Sequence, residues 1–183
     1  MPIIGDKARF AVEYQLRGDG PGQQRWLHGS LCAWAGGVRI GRDEPATLGV
    51  AIGALPAILA NAGRRRHDAL MNAPAERVFA AWREALYKAD DALRYRELAE
   101  IARPFEAMEA LPELDVFDGW QAVLLEDDAR GRFICRAPDG TLREQELAVG
   151  AVDQVYARLL ADLWDARQNL RAAWEAVNNG WNQ

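Results

Sequence analysis

The stretch from Leu114 to Leu147 constrains the fold most, because it predicts an antiparallel meander. Within it, Gln121 to Leu125 is a short apolar run, and Arg132 to Arg136 alternates polar and apolar side chains as a half-buried strand does. Pro138-Asp139-Gly140 is a turn sequence, since proline presets φ, aspartate can bond its own backbone and glycine accepts a positive φ. Thr141 to Leu147 can supply a third strand. We expect one apolar face on this meander, and helices from elsewhere in the chain must cover it.

A small antiparallel sheet is also predicted in the first third of the chain. Lys7 to Leu16 alternates apolar and polar side chains, Arg25 to Ala35 is a second strand-like run, and Val38 to Ile40 is a short third. Arg17 to Gln24 is rich in glycine, which predicts a flexible connection between the first two strands.

Helical patterns fill the middle of the chain. Thr47 is a candidate N-cap for a helix through Asn61, and Pro74 fits the first turn of the next helix. This next helix repeats apolar residues at steps of three and four: Val78, Phe79, Trp82 and Leu86. Between the two helices, Gly63 to His67 predicts an exposed basic loop. Leu93 to Met108 is polar and is predicted to be helical in part.

The clearest helix is the last element of the chain. Its apolar residues step by four and three without interruption: Val152, Tyr156, Leu159, Leu163, Ala166, Leu170, Ala173, Val177 and Trp181. Such a long helix suggests contact with a partner or, as the favoured interpretation, closure of the chain's own core. The patterns predict a single α+β domain over residues 1–183. Its antiparallel sheet, built from the N-terminal strands and the central meander, is packed by helices, and a long C-terminal helix ends the chain.

The composition describes a globular protein with a sizeable core, since half of the 183 residues are hydrophobic and 27% are charged. The first residues lack the pattern of a signal peptide, which predicts a cytoplasmic protein. Ala46 to Ala62, the longest apolar run, is shorter than the roughly 20 residues of a spanning helix and predicts a buried segment. Cys32 and Cys135 are not spaced as metal ligands and predict buried free thiols, with a disulfide as the alternative.

Charge is distributed unevenly along the chain. Residues 106–165 contain fourteen Asp and Glu against five Arg, a balance of −9, whereas the remainder carries +4. This asymmetry indicates a basic partner and disfavours nucleic acid, which the acidic part would repel. The alternative is that the acidic residues merely solvate exposed faces.

Catalytic chemistry is not predicted. His28 and His67 are the only histidines, and neither accompanies a nucleophile on a sharp strand-to-helix turn. Histidine and cysteine are too few for a metal site of that kind, and no glycine-rich phosphate loop is present. Asp115 and Asp118 could bind a hard cation or cap local turns. We expect no catalytic residue, no cofactor and no metal.

Two parts of the sequence resemble a known family. The N-terminal IIGDKARFAVEYQL, followed by WLHGSLCAWAGG at residues 26–37 and by Ile40-Gly41, resembles the start of the bacterial immunity protein 42 family. The central DVFDGW at residues 115–120, with the apolar strand after it, is also similar to that family. These motifs are mostly aromatic and glycine positions of a small sheet, and we expect Phe117 and Trp120 in the core.

The resemblance implies a cognate immunity protein, which binds and neutralises a toxin of an interbacterial polymorphic or contact-dependent system. We then expect stoichiometric occlusion of a basic toxin domain, with encounter accelerated by an acidic surface. The predicted contacts are an acidic tip and two residues behind it: Glu126, Asp127 and Asp128, with Glu109 and Glu113. Neither nucleic acid nor a membrane is an expected partner, and the free protein is expected to be a monomer or a homodimer.

Two alternatives come from other classes of protein. One is a stand-alone adaptor or chaperone-like protein, whose long C-terminal helix docks on a partner helix or on its own copy. The other is an enzyme that uses carboxylates of the Leu114 to Leu147 stretch, with a divalent cation.

Overall fold

The computed structural model describes residues 1–17, 27–87 and 104–180 and confirms the α+β class. The strands are β1 (Ile3–Gly5), β2 (Phe10–Leu16), β3 (His28–Ala35), β4 (Val38–Ile40), β5 (Ala46–Thr47), β6 (Gln121–Glu126), β7 (Gly131–Arg136) and β8 (Leu142–Leu147). The named helices are α1 (Leu48–Leu59), α2 (Asp68–Met71), α3 (Ala75–Tyr87) and α4 (Ala151–Gly180), with a 3-10 turn at Asp115–Phe117. The predictions for residues 18–26, 93–103 and 181 fall outside the described residues.

The N-terminal sheet runs in the order β1-β2-β3-β4, and β5 adds to β3. The predicted strands are confirmed, whereas β1 and β5 are too short to produce a sequence pattern. Gly29 of β3 is required by close packing, because a Cβ there would lie 1.9 Å from the carbonyl oxygen of Gln15 on β2. Glycine therefore lets the neighbouring strand approach at this point.

The central meander forms a second antiparallel sheet in the order β6-β7-β8. The prediction of one apolar face is wrong, since both faces are covered. Ala122 and Leu124 of β6 face the core shared with the N-terminal sheet, whereas Val123 and Leu125 face a second core that includes residues of α3. A continuous apolar run is the pattern of a strand that is buried on both sides.

The outer edge of β6 is closed by other parts of the chain. The amide of Leu124 donates to the carbonyl of Met108 at 2.7 Å, and the amide of Ala110 donates to the carbonyl of Ala122 at 3.0 Å. Farther along the strand, the amide of Glu126 donates to the carbonyl of Arg65 at 3.1 Å. These bonds hold two loops against β6, and both loops carry charged residues.

The main core lies where the two sheets meet α1 and α4. The ring of Phe10 lies 5.2 Å from that of Phe133 on the second sheet and 5.6 Å from that of Tyr156 on α4. Tyr156 is almost fully buried, and its hydroxyl donates to the carbonyl of Ala110 at 2.8 Å. Aromatic side chains from the N-terminal sheet, the second sheet and α4 therefore pack together.

The helices follow the predictions in part. α1 begins after Thr47 as predicted, without a side-chain cap bond, and ends at Leu59 instead of Asn61. α1 packs against α4 and β3, and α4 also contacts β1 and β2. No helix of the described residues is long and apolar enough to span a bilayer.

The long C-terminal helix is confirmed, with 30 residues in α4. Its apolar stripe is buried from Val152 to Leu163, and Ala166 and Leu170 are partly buried against the same core. The side chains of Ala173 and Val177 lie outside the described part of the chain. Up to Leu170, the helix therefore closes the protein's own core.

Candidate partner-binding surface

At the turn between β6 and β7, two of the three carboxylates predicted for an acidic tip reach the surface, Asp128 exposed and Asp127 half-buried. The Asp127 carboxylate accepts hydrogen bonds from the amides of Ala129 at 2.7 Å and Arg130 at 2.8 Å. These backbone bonds lower the pKa of Asp127 below its usual value. Asp128 is exposed and accepts two bonds of 3.1 Å from the guanidinium of Arg66. The turn is thus ordered by its own acidic residues.

Glu126 is not part of the exposed tip, which corrects the sequence prediction. The residue is 7% exposed, at the end of β6. Its Oε1 accepts a hydrogen bond from the amide of Gly150 at 2.7 Å, and its Oε2 lies 3.4 Å from the Arg65 guanidinium. Both carboxylate oxygens therefore have partners inside the protein, where they fix the base of the turn.

Arg65 is buried, so the predicted exposed basic loop is wrong at this residue. Its guanidinium donates to Asp153 of α4 at 2.7 Å, to the carbonyl of Ile58 at 2.8 Å and to the carbonyl of Ala107 at 3.2 Å. The neighbouring Arg66 remains exposed. Three adjacent arginines look alike in the sequence, and no local signal distinguishes the buried one.

Glu109 and Glu113 lie in a different place, on the rim of an open groove at the start of β6. This carboxylate groove has a volume of about 680 Å³. Its rim also carries Asp115 and Asp118, and all four acidic residues are exposed. Apolar residues form much of the remaining lining: Trp82, Leu111, Pro112, Leu114, Phe117, Trp120, Ala122, Ala137 and Pro138.

The groove carboxylates are not neutralised by the described residues. Within residues 1–17, 27–87 and 104–180, none of the four forms a side-chain hydrogen bond or an ion pair. The groove partly desolvates the carboxyl of Glu109, which raises its pKa above the usual value, and the nearby charge of Glu113 raises it further. Arg136 is the cation among the described lining residues, and its guanidinium lies 5.8 Å from the Phe79 ring. Among the described residues, the groove carboxylates are therefore without a paired cation.

The two groups of acidic residues lie at opposite ends of β6. A strand rises by about 3.3 Å per residue, so the six residues of β6 place its ends roughly 17 Å apart. A standard protein interface covers about 800 Å² on each partner, a patch roughly 30 Å across. One protein partner can therefore contact both the turn and the groove.

The remaining chemically notable residues do not form a catalytic arrangement in the described parts of the chain. No group of three or more His, Cys, Asp or Glu residues there could hold a metal ion. The His67 ring packs 5.1 Å from the ring of Phe105. Cys32 and Cys135 are free and buried, as predicted, and burial raises the pKa of Cys135 to about 12.

Comparison with known proteins identifies the family. Residues 1–162 match the model of immunity protein 42. The protein belongs to the immunity protein 42 family. This match confirms the resemblance seen in the N-terminal and central motifs, and it includes both groups of acidic residues. Among curated proteins, none matches the sequence significantly.

A solved structure shares the fold of this member of the immunity protein 42 family. The crystal structure of CdiI from Burkholderia dolosa AUO158 has a TM-score of 0.68, with 88% of this chain and 99% of that chain covered. The two sequences are 16% identical, so the likeness concerns the fold alone. The family match ends within α4, and its residues from Leu163 onwards lie beyond the match.

Proposed function

We propose that this protein is an immunity protein that binds one cognate bacterial toxin domain and neutralises it by stoichiometric occlusion. The observation that carries this proposal is the family match over residues 1–162. Carboxylates that no described residue pairs lie on an open groove, and they are consistent with binding because they provide charge for a basic surface. The protein needs no reacting group for this task, because a bound toxin whose surface is covered cannot reach its target.

The proposed contacts are the carboxylates that reach the surface at both ends of β6. Asp127 and Asp128 present charge at the turn, and Glu109 and Glu113 present it at the groove. Glu126 acts from inside, since its bonds to Gly150 and Arg65 hold the turn in place. Complementary charge accelerates encounter and selects the partner, whereas buried apolar contacts supply most of the affinity. The proposed place of action is the cytoplasm, where an incoming toxin domain would act.

The test uses the toxin candidate encoded by the neighbouring open reading frame. Its C-terminal domain is expressed in a heterologous bacterium with and without this protein, and growth and co-purification are followed. We expect growth arrest that co-expression relieves, together with a stable one-to-one complex. A harmless neighbour, or toxicity that persists despite co-expression, would contradict the proposal.

A role as an adaptor is the second candidate, and α4 favours it. The helix continues from Leu163 to Gly180 beyond the family match, and Trp164 on this part is 43% exposed. An adaptor would use this surface to dock on a partner helix or on a second copy. Trp164→Ala would weaken self-association or partner capture by an adaptor. For an immunity protein we expect the same substitution to leave toxin neutralisation intact.

A further inference from the structure

We propose that the carboxylate groove receives a projecting segment of the toxin domain in which an arginine or lysine lies beside an apolar side chain. The inference rests on the proposed immunity function and adds the chemistry of the docked element. It also assigns Asp115, Asp118 and Trp120 to the binding surface, besides Glu109 and Glu113.

The shape of the groove suits a segment of polypeptide. Its volume of about 680 Å³ lies in the range of roughly 300–1,000 Å³ that binding clefts occupy. The opening lies between the 3-10 turn, the start of β6 and the turn that follows β7, which supplies Ala137 and Pro138. A loop or turn of a partner can enter such a cleft without any strand of this protein separating.

The apolar lining of the groove favours an apolar side chain in the docked segment. Phe117 is 4% exposed and Trp120 is half-buried, and both line the groove. Water on such a surface is displaced favourably by an apolar side chain at about 25 cal/mol for each Å² buried. An aromatic ring can also stack with a guanidinium or contact an ammonium group.

The acidic rim of the groove favours an arginine or lysine in the docked segment. Four carboxylates surround the apolar lining against the single described cation, Arg136. A guanidinium can bond a carboxylate through two parallel hydrogen bonds, which gives both strength and direction. An anionic ligand would meet like charge on this rim, and the described carboxylates do not converge in the manner of a metal site.

The turn between β6 and β7 is a weaker anchor than the groove. Asp127 is occupied by two backbone amides, and Asp128 is paired with Arg66. A toxin cation at this turn must compete with those existing partners. At the groove, a toxin cation instead relieves the repulsion between Glu109 and Glu113. The gain in charge pairing is therefore larger at the groove.

The first experiment measures binding of the neighbouring frame's C-terminal domain by calorimetry at 0.15 M NaCl, with matched pairs of substitutions. Glu113→Gln with Asp118→Asn removes two charges from the groove. Asp165→Asn with Glu175→Gln removes two exposed charges on α4, outside the groove lining. We expect the groove pair to weaken affinity at least tenfold and the control pair to change it less than twofold.

A second experiment blocks the groove without changing its carboxylates. Gln121→Cys introduces a thiol on the lining, and both native thiols are buried, so a bulky maleimide can be attached at this position. We expect the labelled protein to bind the toxin domain at least tenfold more weakly than the same variant without the label. Thermal melting of each protein verifies that it is folded.

The outcomes separate the two proposals. If the wild type neutralises the toxin domain but the groove pair and the labelled protein bind it normally, the groove assignment fails and the immunity function stands. If both charge pairs weaken binding equally, general attraction explains the effect and the groove assignment again fails. If the wild type does not bind the domain, the immunity function fails and the groove assignment fails with it.

Discussion

At the scale of single residues, Arg65 connects four separate chain segments. Its side chain reaches α1, the loop before β6, the end of β6 and the first turn of α4. Burying a guanidinium costs free energy that several partners must offset together. In return, Arg65 fixes the base of the β6–β7 turn and the start of α4 relative to each other.

Replacing Arg65 with methionine should destabilise the fold by about 3–5 kcal/mol, because it leaves Glu126 and Asp153 as buried carboxylates without their cation. Urea denaturation measures the loss. Arg66→Met is the matched control, since Arg66 is exposed and we expect a change within about 1 kcal/mol. Similar losses for both variants would show that the Arg65 network does not stabilise the protein.

Glu109 gives a prediction that depends on pH. Partial desolvation in the groove, and then the charge of Glu113, raise its folded pKa, so the folded state holds the proton more tightly than the unfolded state does. The ionised Glu109 carboxylate therefore lowers the free energy of unfolding. This loss of stability is fully present above the folded pKa and disappears as pH falls towards the ordinary value of 4.5. Glu109→Gln should therefore be more stable than the wild type at pH 7, and the difference should vanish by pH 4. Melting temperatures across this range provide the measurement, and a constant difference would contradict the assignment.

At the scale of elements, two glycines show how local geometry decides the effect of the same substitution. Gly53 is exposed inside α1, and a Cβ there would meet no atom within 4 Å. We expect Gly53→Ala to stabilise the protein by about 0.5–1 kcal/mol, since glycine disfavours a helix interior. Gly29→Ala should instead cost about 3 kcal/mol or more, because its Cβ would collide with the β2 backbone. Denaturation of both variants tests the pair, and equal effects would contradict it.

The elements that were predicted well from the sequence each contain a periodic pattern of apolar residues. The stripe of α4 and the alternation of β2 and β7 each repeat over several residues. The second buried face of β6 could not be predicted, because an apolar run of five residues does not reveal how many layers cover it. The short α2 and β5 depend on tertiary contacts, since four residues and two residues are too few for a period.

The proposed binding surface could be predicted less completely than the fold. Acidic residues are visible in the sequence, but their separation into a turn and a groove depends on how the loops close the edge of β6. The burial of Glu126 also depends on residues that are distant in sequence, Arg65 and Gly150. Local sequence therefore identified the charge, and the fold determines which carboxylates remain available.

At the scale of the whole molecule, the charge asymmetry predicts how toxin binding responds to salt. Residues 106–165 carry a balance of −9, and several of these charges surround the groove. Raising NaCl from 0.05 to 0.5 M should slow association roughly tenfold or more and change dissociation much less, since screening acts on long-range attraction. Stopped-flow mixing measures both rates. An association rate that is independent of salt would contradict electrostatic steering.

The bond between Tyr14 and Asp162 has a consequence for biosynthesis. It joins β2 to α4 across 148 residues, so the face that β2 turns towards α4 lacks this partner until nearly the whole chain is made. Synthesis at about 5–20 residues per second leaves that apolar face open for roughly 7–30 s. During this interval each sheet can form from its own neighbouring strands, but the core cannot close. We expect the nascent chain to be a client of ribosome-associated chaperones, and protection of the toxin target to lag behind translation by the time α4 takes to dock.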